Sequence, residues 1–379
     1  MKILVACDSY KGCLTSYEVE EQIQKGILRA NPHHEVQCFP MADGGEGTAE
    51  VLCRIYKGTM TYVPTKDAYG RDILASMVYC IPQKIACLDV ASCIGLNMVE
   101  KEYRNPMIAS SKGVGLMMQD AIQRGYKKII IGLGGSSTND GGMGILSAFG
   151  VRFFDSHRKE LKPSLYALNK ISFIDKRHFS FPKDVEIILA CDVNNHLLGK
   201  EGCTYVFGRQ KGIFPNQMEE IDTWMTHYRD KIQQTFHVDI DTFAGGGAAG
   251  GIGSILLGIF HAKQLSGIEL IMESSGFEQA LTDADLVITG EGQTDAQTIL
   301  GKVPFGIATK AKEYDVPVIC LSGALGKGYE ALYDYGVVSI LSTADRAMSF
   351  QTALKTSSVK LEALAYSITR LIDRASQMK

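Results

Sequence analysis

Residues 129 to 142 read Ile-Ile-Ile-Gly-Leu-Gly-Gly-Ser-Ser-Thr-Asn-Asp-Gly-Gly, and no other stretch of the chain is as informative. An apolar, β-branched run ends in glycines, hydroxyl side chains and one carboxylate, and a helical pattern follows. That order predicts a buried strand, a tight loop and a helix start. Free backbone N–H groups at a helix start can hold a phosphate. Asp140 in the same loop could hold a magnesium ion or accept a proton, so the stretch predicts a phosphorylated ligand.

Short apolar strands of the same kind occur near both ends of the chain. Ile3 to Cys7 comes first, and residues 286–289, 316–321 and 337–341 follow much later, with helical patterns between them. Such alternation is typical of a parallel sheet with helical crossovers. Residues 61 to 90 differ, because their alternating runs are broken by proline and glycine, which favours antiparallel strands.

These patterns predict an α/β fold with two domains. A discontinuous parallel-sheet domain of flavodoxin or Rossmann type takes residues 1–60 and 281–379. A mixed α/β domain is inserted between them, over residues 61–280.

Composition excludes several classes of function. The chain has 379 residues, of which 45% are apolar and 21% charged, and its formal net charge is −3. A nucleic-acid or membrane-surface role would favour a basic face. The ten cysteines show no Cys-x-x-Cys spacing, which favours reduced thiols in a cytoplasmic protein. No segment approaches the ~20 apolar residues of a membrane span.

Four loops share one order of residues: a strand end, then small residues, then an acid. They are residues 43–47, 134–142, 191–194 and 290–295. Ligands in α/β folds bind at the carboxyl ends of strands, so we expect such loops to gather in one crevice. The alternative is ordinary turn chemistry, since Asp-Gly and Asn-Asp are common in turns.

Standard nucleotide motifs are absent from the sequence. There is no Gly-x-x-x-x-Gly-Lys-[Ser/Thr] loop, protein-kinase signature or Gly-x-Ser-x-Gly elbow. Gly245-x-Gly247-x-x-Gly250 fits the dinucleotide fingerprint formally, but the residues before it form a poor strand pattern. A nicotinamide-dependent hydroxyacid dehydrogenase and a non-catalytic sugar-acid sensor therefore stay as alternatives.

Seven segments together resemble the bacterial type-1 glycerate kinases, in order and over essentially the whole chain. They are Asp8-Ser-Tyr-Lys-Gly12, Pro40-Met-Ala-Asp-Gly-Gly-Glu-Gly-Thr48, Gly134-Gly-Ser-Ser-Thr-Asn-Asp-Gly-Gly142, Ala190-Cys-Asp-Val-Asn194, Phe207-Gly-Arg-Gln-Lys-Gly212, Gly245 to Gly253, and Gly290-Glu-Gly-Gln-Thr-Asp295 with Gly301-Lys302.

The resemblance implies ATP-dependent phosphorylation of D-glycerate with Mg²⁺, usually to 2-phosphoglycerate. It also implies an active cleft between two α/β domains. A kinase for another small hydroxyacid is the alternative within this class. The resemblance leaves open which hydroxyl is phosphorylated and whether the chain forms a homo-oligomer.

A kinase site for glycerate needs cations, a magnesium ligand and a carboxylate near the attacking hydroxyl. Lys11 lies between a strand end and a helix start, where a cation can contact phosphate. Asp43 and Asp192 end their strands as lone acids. We predict that these two share magnesium coordination and general-base duty, in an order the sequence does not decide.

The remaining candidates are assigned by type. Substrate or phosphate binding is predicted for Gly44, Gly45, Arg71, Ser136, Ser137, Asn139, Asp140, Lys211 and Lys302, and nucleotide binding for Gly290, Glu291, Gly292 and Asp295. Gln293 departs from the resemblance, because many relatives carry Arg there. Lys302, Lys211 and Arg71 are the cations that could replace it.

Overall fold

A computed structural model describes residues 1–44 and 47–378 of the chain. Its strands, in chain order, are β1 Lys2–Cys7, β2 Glu35–Cys38, β3 Thr59–Lys66, β4 Asp72–Cys80, β5 Ile85–Asp89, β6 Lys128–Gly132, β7 Arg152–Phe154, β8 Phe173–Asp175, β9 Glu186–Ala190, β10 Lys263–Leu265, β11 Leu286–Thr294, β12 Val318–Leu325 and β13 Val337–Ser342.

The α-helices are α1 Ser16–Ala30, α2 Thr48–Ile55, α3 Ala91–Ile94, α4 Lys112–Gln123, α5 Met143–Ala148, α6 Leu165–Leu168, α7 Cys203–Lys211, α8 Met218–Phe236, α9 Ala248–Gly258, α10 Gly267–Ser275, α11 Phe277–Leu281, α12 Val303–Glu313 and α13 Phe350–Ser376. Short 3₁₀ helices occupy Leu96–Met98, Lys101–Tyr103, Pro215–Gln217, Thr298–Leu300 and Tyr329–Tyr335.

The chain divides into two compact units. Unit 1 contains Met1–Asp43 and Ile268–Lys379, and unit 2 contains Gly44–Gly267. Unit 1 is therefore discontinuous in sequence, and unit 2 is inserted into it. Together with the strand order given below, this confirms the predicted α/β class.

Unit 1 is built on a parallel five-stranded sheet with the order β13-β12-β11-β1-β2. The first strand pairs with a strand from the far end of the sequence: Ile3 lies beside Leu286, and Cys7 beside Gly290. Because β1 has neighbours on both sides, its residues from Ile3 onward are buried, as its unbroken apolar run predicts.

The core of unit 1 joins the two ends of the chain through helices α1 and α13. Thr15 and Glu18 form the predicted capping box at the start of α1, with the Glu18 N–H donating to Thr15 Oγ1. Val19, Ile23 and Ile27 then pack against β1 and against Leu361 and Ala365 of α13. A Cβ on Gly26 would lie 2.3 Å from the Glu362 carbonyl oxygen, so only glycine allows this close helix approach.

Unit 2 is built on a mixed six-stranded sheet with the order β10-β9-β6-β5-β4-β3. Strands β10, β9, β6 and β5 are parallel, whereas β4 and β3 continue the sheet antiparallel. Apart from the first two residues of β3, the antiparallel strands fall within residues 61–90, as the alternating pattern predicts. The carboxyl ends of β5, β6 and β9 are adjacent, which brings the loops that follow them together.

The unit boundaries differ in position from the predicted ones at residues 60 and 280. Helix α2 belongs to unit 2, because the Asp89 carboxylate at the end of β5 accepts the N–H groups of Gly47 and Ala49 at its start. Helix α11 belongs to unit 1, where the Phe277 ring packs edge-on against Phe39 at 5.4 Å between centroids. Among the described helices, none is both long and apolar enough to cross a bilayer.

Candidate active site

A cavity of about 370 Å³ lies in unit 1, on residues that follow or end the parallel strands. We call it the unit 1 cavity. Its wall includes residues 8–11 after β1, Asp43 after β2, residues 291–293 of β11, residues 323–324 of β12, and residues 343–344 after β13. Carboxyl ends of parallel strands are the usual ligand-binding edge of an α/β sheet.

One end of the unit 1 cavity is charged. The Lys11 Nζ lies 3.4 Å from Asp43 Oδ2, and the Lys11 side chain is 66% exposed. Burial lowers the pKa of Lys11, but Asp43 and Asp8 outweigh that effect and raise it. Lys11 is therefore a cation with room to contact a second anion.

Asp8, which the sequence analysis did not select, lies beside this pair. It is 6% exposed, and its carboxylate Oδ1 accepts the Ser9 N–H. Burial, followed by the nearby charge of Asp43, raises the pKa of Asp8 to about 7. A carboxylate that is costly to ionise next to another acid is a group that a bound cation would stabilise.

Glu291 and Lys302 form a second charged pair in the same cavity, with Nζ 3.4 Å from Oε2. The other oxygen of Glu291 accepts the hydroxyls of Thr298 and Thr294, which orients the carboxylate. Burial raises the pKa of Glu291, although these hydrogen bonds and Lys302 oppose the rise.

A second part of the wall of the unit 1 cavity is apolar. Met348, Phe350, Ala353 and Leu354 line it, from the start of α13 and the residues before it. These lining residues were not predicted from the sequence, because nothing in a long amphipathic helix indicates which surface will face a ligand. Phe350 is 76% exposed, so its ring can cover a flat ligand.

The predicted nucleotide-binding residues do not all reach the cavity. Glu291 and Gly292 line it. Gly290 is part of β11, and a Cβ there would lie 2.0 Å from the Leu321 carbonyl oxygen, so sheet packing explains this glycine. Asp295 lies outside the lining residues, and its carboxylate accepts the Gln293 amide and the Gln297 N–H.

In unit 2, residues 133–142 form what we call the glycine-rich loop, between β6 and α5. Asp140 is 0% exposed. Its Oδ2 accepts the N–H and hydroxyl of Ser111 and the N–H of Gly144, and its Oδ1 accepts the Gly142 N–H. Burial raises its pKa, while these hydrogen bonds oppose the rise. Asp140 in this structure ties the loop to the starts of α4 and α5, with no surface for a ligand.

The other predicted residues of this loop are also buried. Ser137 Oγ donates to the Ile94 carbonyl, and the Asn139 amide donates to Thr204 Oγ1. The Nζ of Lys211 donates to Ser136 Oγ at 3.2 Å and to the Thr138 carbonyl at 2.7 Å. Burial lowers the pKa of Lys211 to about 8. Lys211 therefore fixes the glycine-rich loop from inside unit 2.

Three further predicted residues belong to unit 2. Asp192 is half-buried after β9, and its Oδ1 accepts the Gly267 N–H at 3.0 Å. Gly44 has a φ of +79°, and a Cβ there would lie 2.9 Å from the Ala190 carbonyl oxygen. Arg71 pairs with Asp67 within the β3–β4 turn. Gly45 lies outside the described residues.

The formal dinucleotide fingerprint at Gly245 has no strand before it, and residues 249–251 have left-handed backbone angles. Gly250 instead supports the glycine-rich loop. The Gly141 N–H donates to the Gly250 carbonyl, and a Cβ on Gly250 would lie 2.1 Å from the Thr138 carbonyl oxygen. The strand–turn–helix context that a Rossmann fingerprint needs is therefore absent at this position.

No three His, Cys, Asp or Glu side chains within residues 1–44 and 47–378 are grouped closely enough to form a complete protein metal site. Magnesium in kinases commonly takes only one or two carboxylates, together with waters and substrate phosphates. Asp8 and Asp43 in the unit 1 cavity fit that smaller requirement.

The chain has an α/β fold, and the cavity at its strand ends combines lysines, carboxylates and an apolar wall. These are features of a small-molecule kinase. Comparison with known proteins makes the class specific. The model of the Glycerate kinase family matches residues 3–373, and the chain belongs to that family. This confirms the resemblance found in the sequence.

Individual relatives agree over nearly their full lengths. The chain is 37% identical to the glycerate kinase of Halalkalibacterium halodurans over 368 residues, covering 97% of each protein. It is 38% identical to the glycerate 2-kinase of Escherichia coli K12, covering 90% of each. A crystal structure from Salmonella typhimurium LT2, provisionally assigned as glycerate kinase 2, is similar at a TM-score of 0.87 and 36% identity, covering 100% of this chain and 99% of that one.

Proposed function

We propose that this chain catalyses the ATP-dependent phosphorylation of D-glycerate to 2-phosphoglycerate. The observation that carries the proposal is the unit 1 cavity, which combines an apolar wall with lysines and carboxylates in a member of the Glycerate kinase family. Its relatives are named glycerate kinases, and their name supplies the substrate class.

The cavity offers an apolar surface for the base of ATP and charged side chains for its phosphates. Phe350 and Leu354 offer an apolar surface for a purine ring. Lys11 and Lys302 at the charged end can neutralise phosphate oxygens. Lys302 is also the cation that we propose as the substitute for the family arginine at Gln293, because both residues line this cavity, whereas Lys211 is buried and Arg71 pairs with Asp67.

We propose that Asp43, with Asp8 beside it, holds Mg²⁺. A bound ion would offset the burial and the repulsion by Asp43 that together raise the pKa of Asp8. When bound, Mg²⁺ neutralises charge that develops on the transferred phosphoryl group. Lys11 holds Asp43 in position through its 3.4 Å contact and stays available for phosphate.

Asp192 remains the proposed general base, the role of accepting the proton of the attacking hydroxyl. Its Oδ1 is oriented by the Gly267 N–H, as a positioned base requires. The buried residues of the glycine-rich loop hold the structure of unit 2, so we leave them out of the proposed contacts. We also propose a cytoplasmic location, since all ten cysteines are free thiols, as expected in a reducing compartment.

The test is a coupled assay of ADP release with D-glycerate, using L-glycerate and hydroxypyruvate as controls. We expect release with D-glycerate, loss of activity on chelation of Mg²⁺, and ³¹P NMR signals of 2-phosphoglycerate. Formation of 3-phosphoglycerate would contradict the proposed position. Absence of glycerate-dependent ADP release would contradict the proposed reaction, and NAD-dependent absorbance change would favour the dehydrogenase alternative.

A further inference from the structure

A second cavity, of about 460 Å³, lies in unit 2 among residues that the proposed reaction does not use. We call it the basic pocket. Its wall comes from three places: the turn after β7, the segment between α6 and β8, and helix α8. Four basic side chains, His157, Lys170, His227 and Lys231, line it, against one acid, Asp155.

The carboxylate of Asp155 accepts hydrogen bonds from backbone groups of its own turn. Asp155 Oδ1 accepts the backbone N–H groups of His157 and Lys159, both at 2.9 Å. Its carboxylate therefore serves to form the turn, and it is not paired with a lysine of the pocket. Within residues 1–44 and 47–378, no carboxylate oxygen lies within 4.0 Å of the ammonium of Lys170 or of Lys231.

Two of the basic side chains are held in place. The Lys170 ammonium lies 3.8 Å from the centre of the Tyr166 ring, a cation–π contact, and that ring packs edge-on against Trp224 of α8. His227 Nε2 donates to the Ile171 carbonyl at 2.7 Å, which fixes the plane of its imidazole. Lys231 follows His227 by four residues on α8, so the two share one face of the helix.

The hydrogen bond of His227 determines what its other nitrogen can do. Because Nε2 must carry a hydrogen to donate to Ile171, Nδ1 of the neutral ring is an acceptor. An anion in the pocket would meet the ammonium groups of Lys170 and Lys231 beside this fixed imidazole.

Hydroxyl and amide groups complete the wall. Ser156, Ser172 and Asn169 supply neutral donors around the basic side chains. A set of several cations with short polar side chains matches an anion with many acceptor oxygens, which is the chemistry of phosphate rather than of a single carboxylate.

We propose that the basic pocket binds a small multiply charged phosphate compound, at a site separate from the unit 1 cavity. Its ligand is recognised by charge and oxygen number, through Lys170 and Lys231, with the imidazole of His227 beside them. The proposal does not depend on the proposed kinase reaction, since it uses none of the residues assigned to that reaction.

The test uses inorganic pyrophosphate as the probe and the full chain as the protein. Isothermal titration is carried out with the chain saturated by D-glycerate and a non-hydrolysable ATP analogue, so that the proposed active-site contacts are filled. The variant is Lys170→Ser with Lys231→Ser. The control is Lys183→Ser with Lys200→Ser, which removes the same charge from exposed residues of the same unit.

We expect the pocket variant to bind pyrophosphate at least about tenfold more weakly than the native chain, because two charge-assisted contacts are lost. The control should bind as the native chain does. His227→Gln keeps an amide donor for Ile171 and should also weaken binding, and the His227 ring signals in NMR should shift on titration of the native chain.

Two results would overturn the proposal: equal binding by the pocket variant and the control, or no binding of pyrophosphate by the saturated native chain. Circular dichroism and unchanged ADP release distinguish a folded pocket variant from a misfolded one. If the pocket variant does not fold, the NMR titration of His227 in the native chain decides the question, since an unmoved ring signal contradicts the site.

Discussion

The ammonium of Lys11 lies 3.4 Å from Oδ2 of Asp43, and this ion pair joins the segment after β1 to the segment after β2. The lysine is mostly exposed and the acid mostly buried, so the pair costs little desolvation on the lysine side. A phosphate arriving in the unit 1 cavity can therefore contact Lys11 without breaking the pair.

Replacing Lys11 with methionine should lower kcat at least about 100-fold, the loss typical of removing one electrostatic donor to a transition state. The rate of ADP release at saturating ATP and D-glycerate measures it. Lys25→Met is the matched control, because Lys25 is an exposed lysine of the same unit that pairs with Glu21. A Lys11 variant as active as the control would exclude Lys11 from the chemical step.

Asp192→Asn should reduce kcat at least about 100-fold while the protein stays folded, since a positioned base contributes ~10²–10⁴-fold. The asparagine keeps an oxygen for the Gly267 N–H, so structure is preserved. Asp184→Asn changes an exposed acid of the same unit, paired with Lys127, and should leave turnover unchanged. Near-normal turnover by Asp192→Asn would remove this residue from the catalytic set.

The apolar wall predicts an effect on nucleotide affinity alone. Phe350→Ala should raise KM for ATP about fivefold, near 1 kcal/mol of lost contact, with little change in kcat. Val359→Ala provides the comparison, because Val359 is an exposed apolar residue on the same helix that does not line the cavity. If the two variants have the same KM for ATP, the base does not bind at this wall.

The lowered pKa of Lys211 predicts that its contribution to the free energy of unfolding rises at alkaline pH. The folded chain holds its proton with a pKa of about 8, against 10.5 for an ordinary lysine. Lys211 therefore binds more protons in the unfolded chain between these values, and its contribution to stability increases with pH across that window. The gain attributable to Lys211 is about 3 kcal/mol.

Urea unfolding at pH 7.5 and at pH 10 measures this difference. The change in unfolding free energy between the two pH values should be less favourable to the folded state in Lys211→Met than in the native chain, whereas Lys200→Met, at an exposed position, should match the native chain. Identical pH dependence in Lys211→Met and the native chain would show that Lys211 titrates as an ordinary lysine.

A comparison of two glycine positions distinguishes the cost of a steric clash from the cost of an unfavourable backbone conformation. Gly250 and Gly125 both have positive φ, but only at Gly250 would a Cβ meet backbone, the Thr138 carbonyl at 2.1 Å. Gly125→Ala should cost about 1–2 kcal/mol from conformation alone. Gly250→Ala should cost clearly more, at least about 3 kcal/mol, because the glycine-rich loop must move. Thermal unfolding of both variants tests this, and equal losses would contradict it.

The sequence predicts the fold well where each strand can be recognised by itself. The apolar runs at Ile3–Cys7 and residues 286–289 are buried parallel strands whatever lies between them, and they do pair. The boundaries at 60 and 280 were harder to predict. Helix α2 has no feature in its own sequence that shows which sheet it will pack on, because the Asp89 carboxylate that caps it lies far along the chain.

The candidate site was predictable in part for a similar reason. The structure brings four of the predicted residues to one cavity: Lys11, Asp43, Glu291 and Lys302. Each of them ends a strand or lies in the segment that follows one. Asp140 has the same local pattern, yet Ser111 and the backbone surround it completely. A loop sequence shows that an acid is present, but its burial depends on a partner segment that the pattern does not contain.

The position of β1 in the sheet constrains the order in which the two units can fold during synthesis. Residues 2–7 are synthesised before unit 2, whereas their neighbour β11 is synthesised only after the whole of unit 2. Unit 2 can thus complete its sheet while the first strand of unit 1 still lacks one partner. The unit 1 cavity also needs Leu354 of α13, so a nascent chain halted before that helix has no complete wall for a nucleotide. With the proposed nucleotide site in the unit 1 cavity, ATP should protect chains that include helix α13 from proteolysis and should not protect chains that end before it.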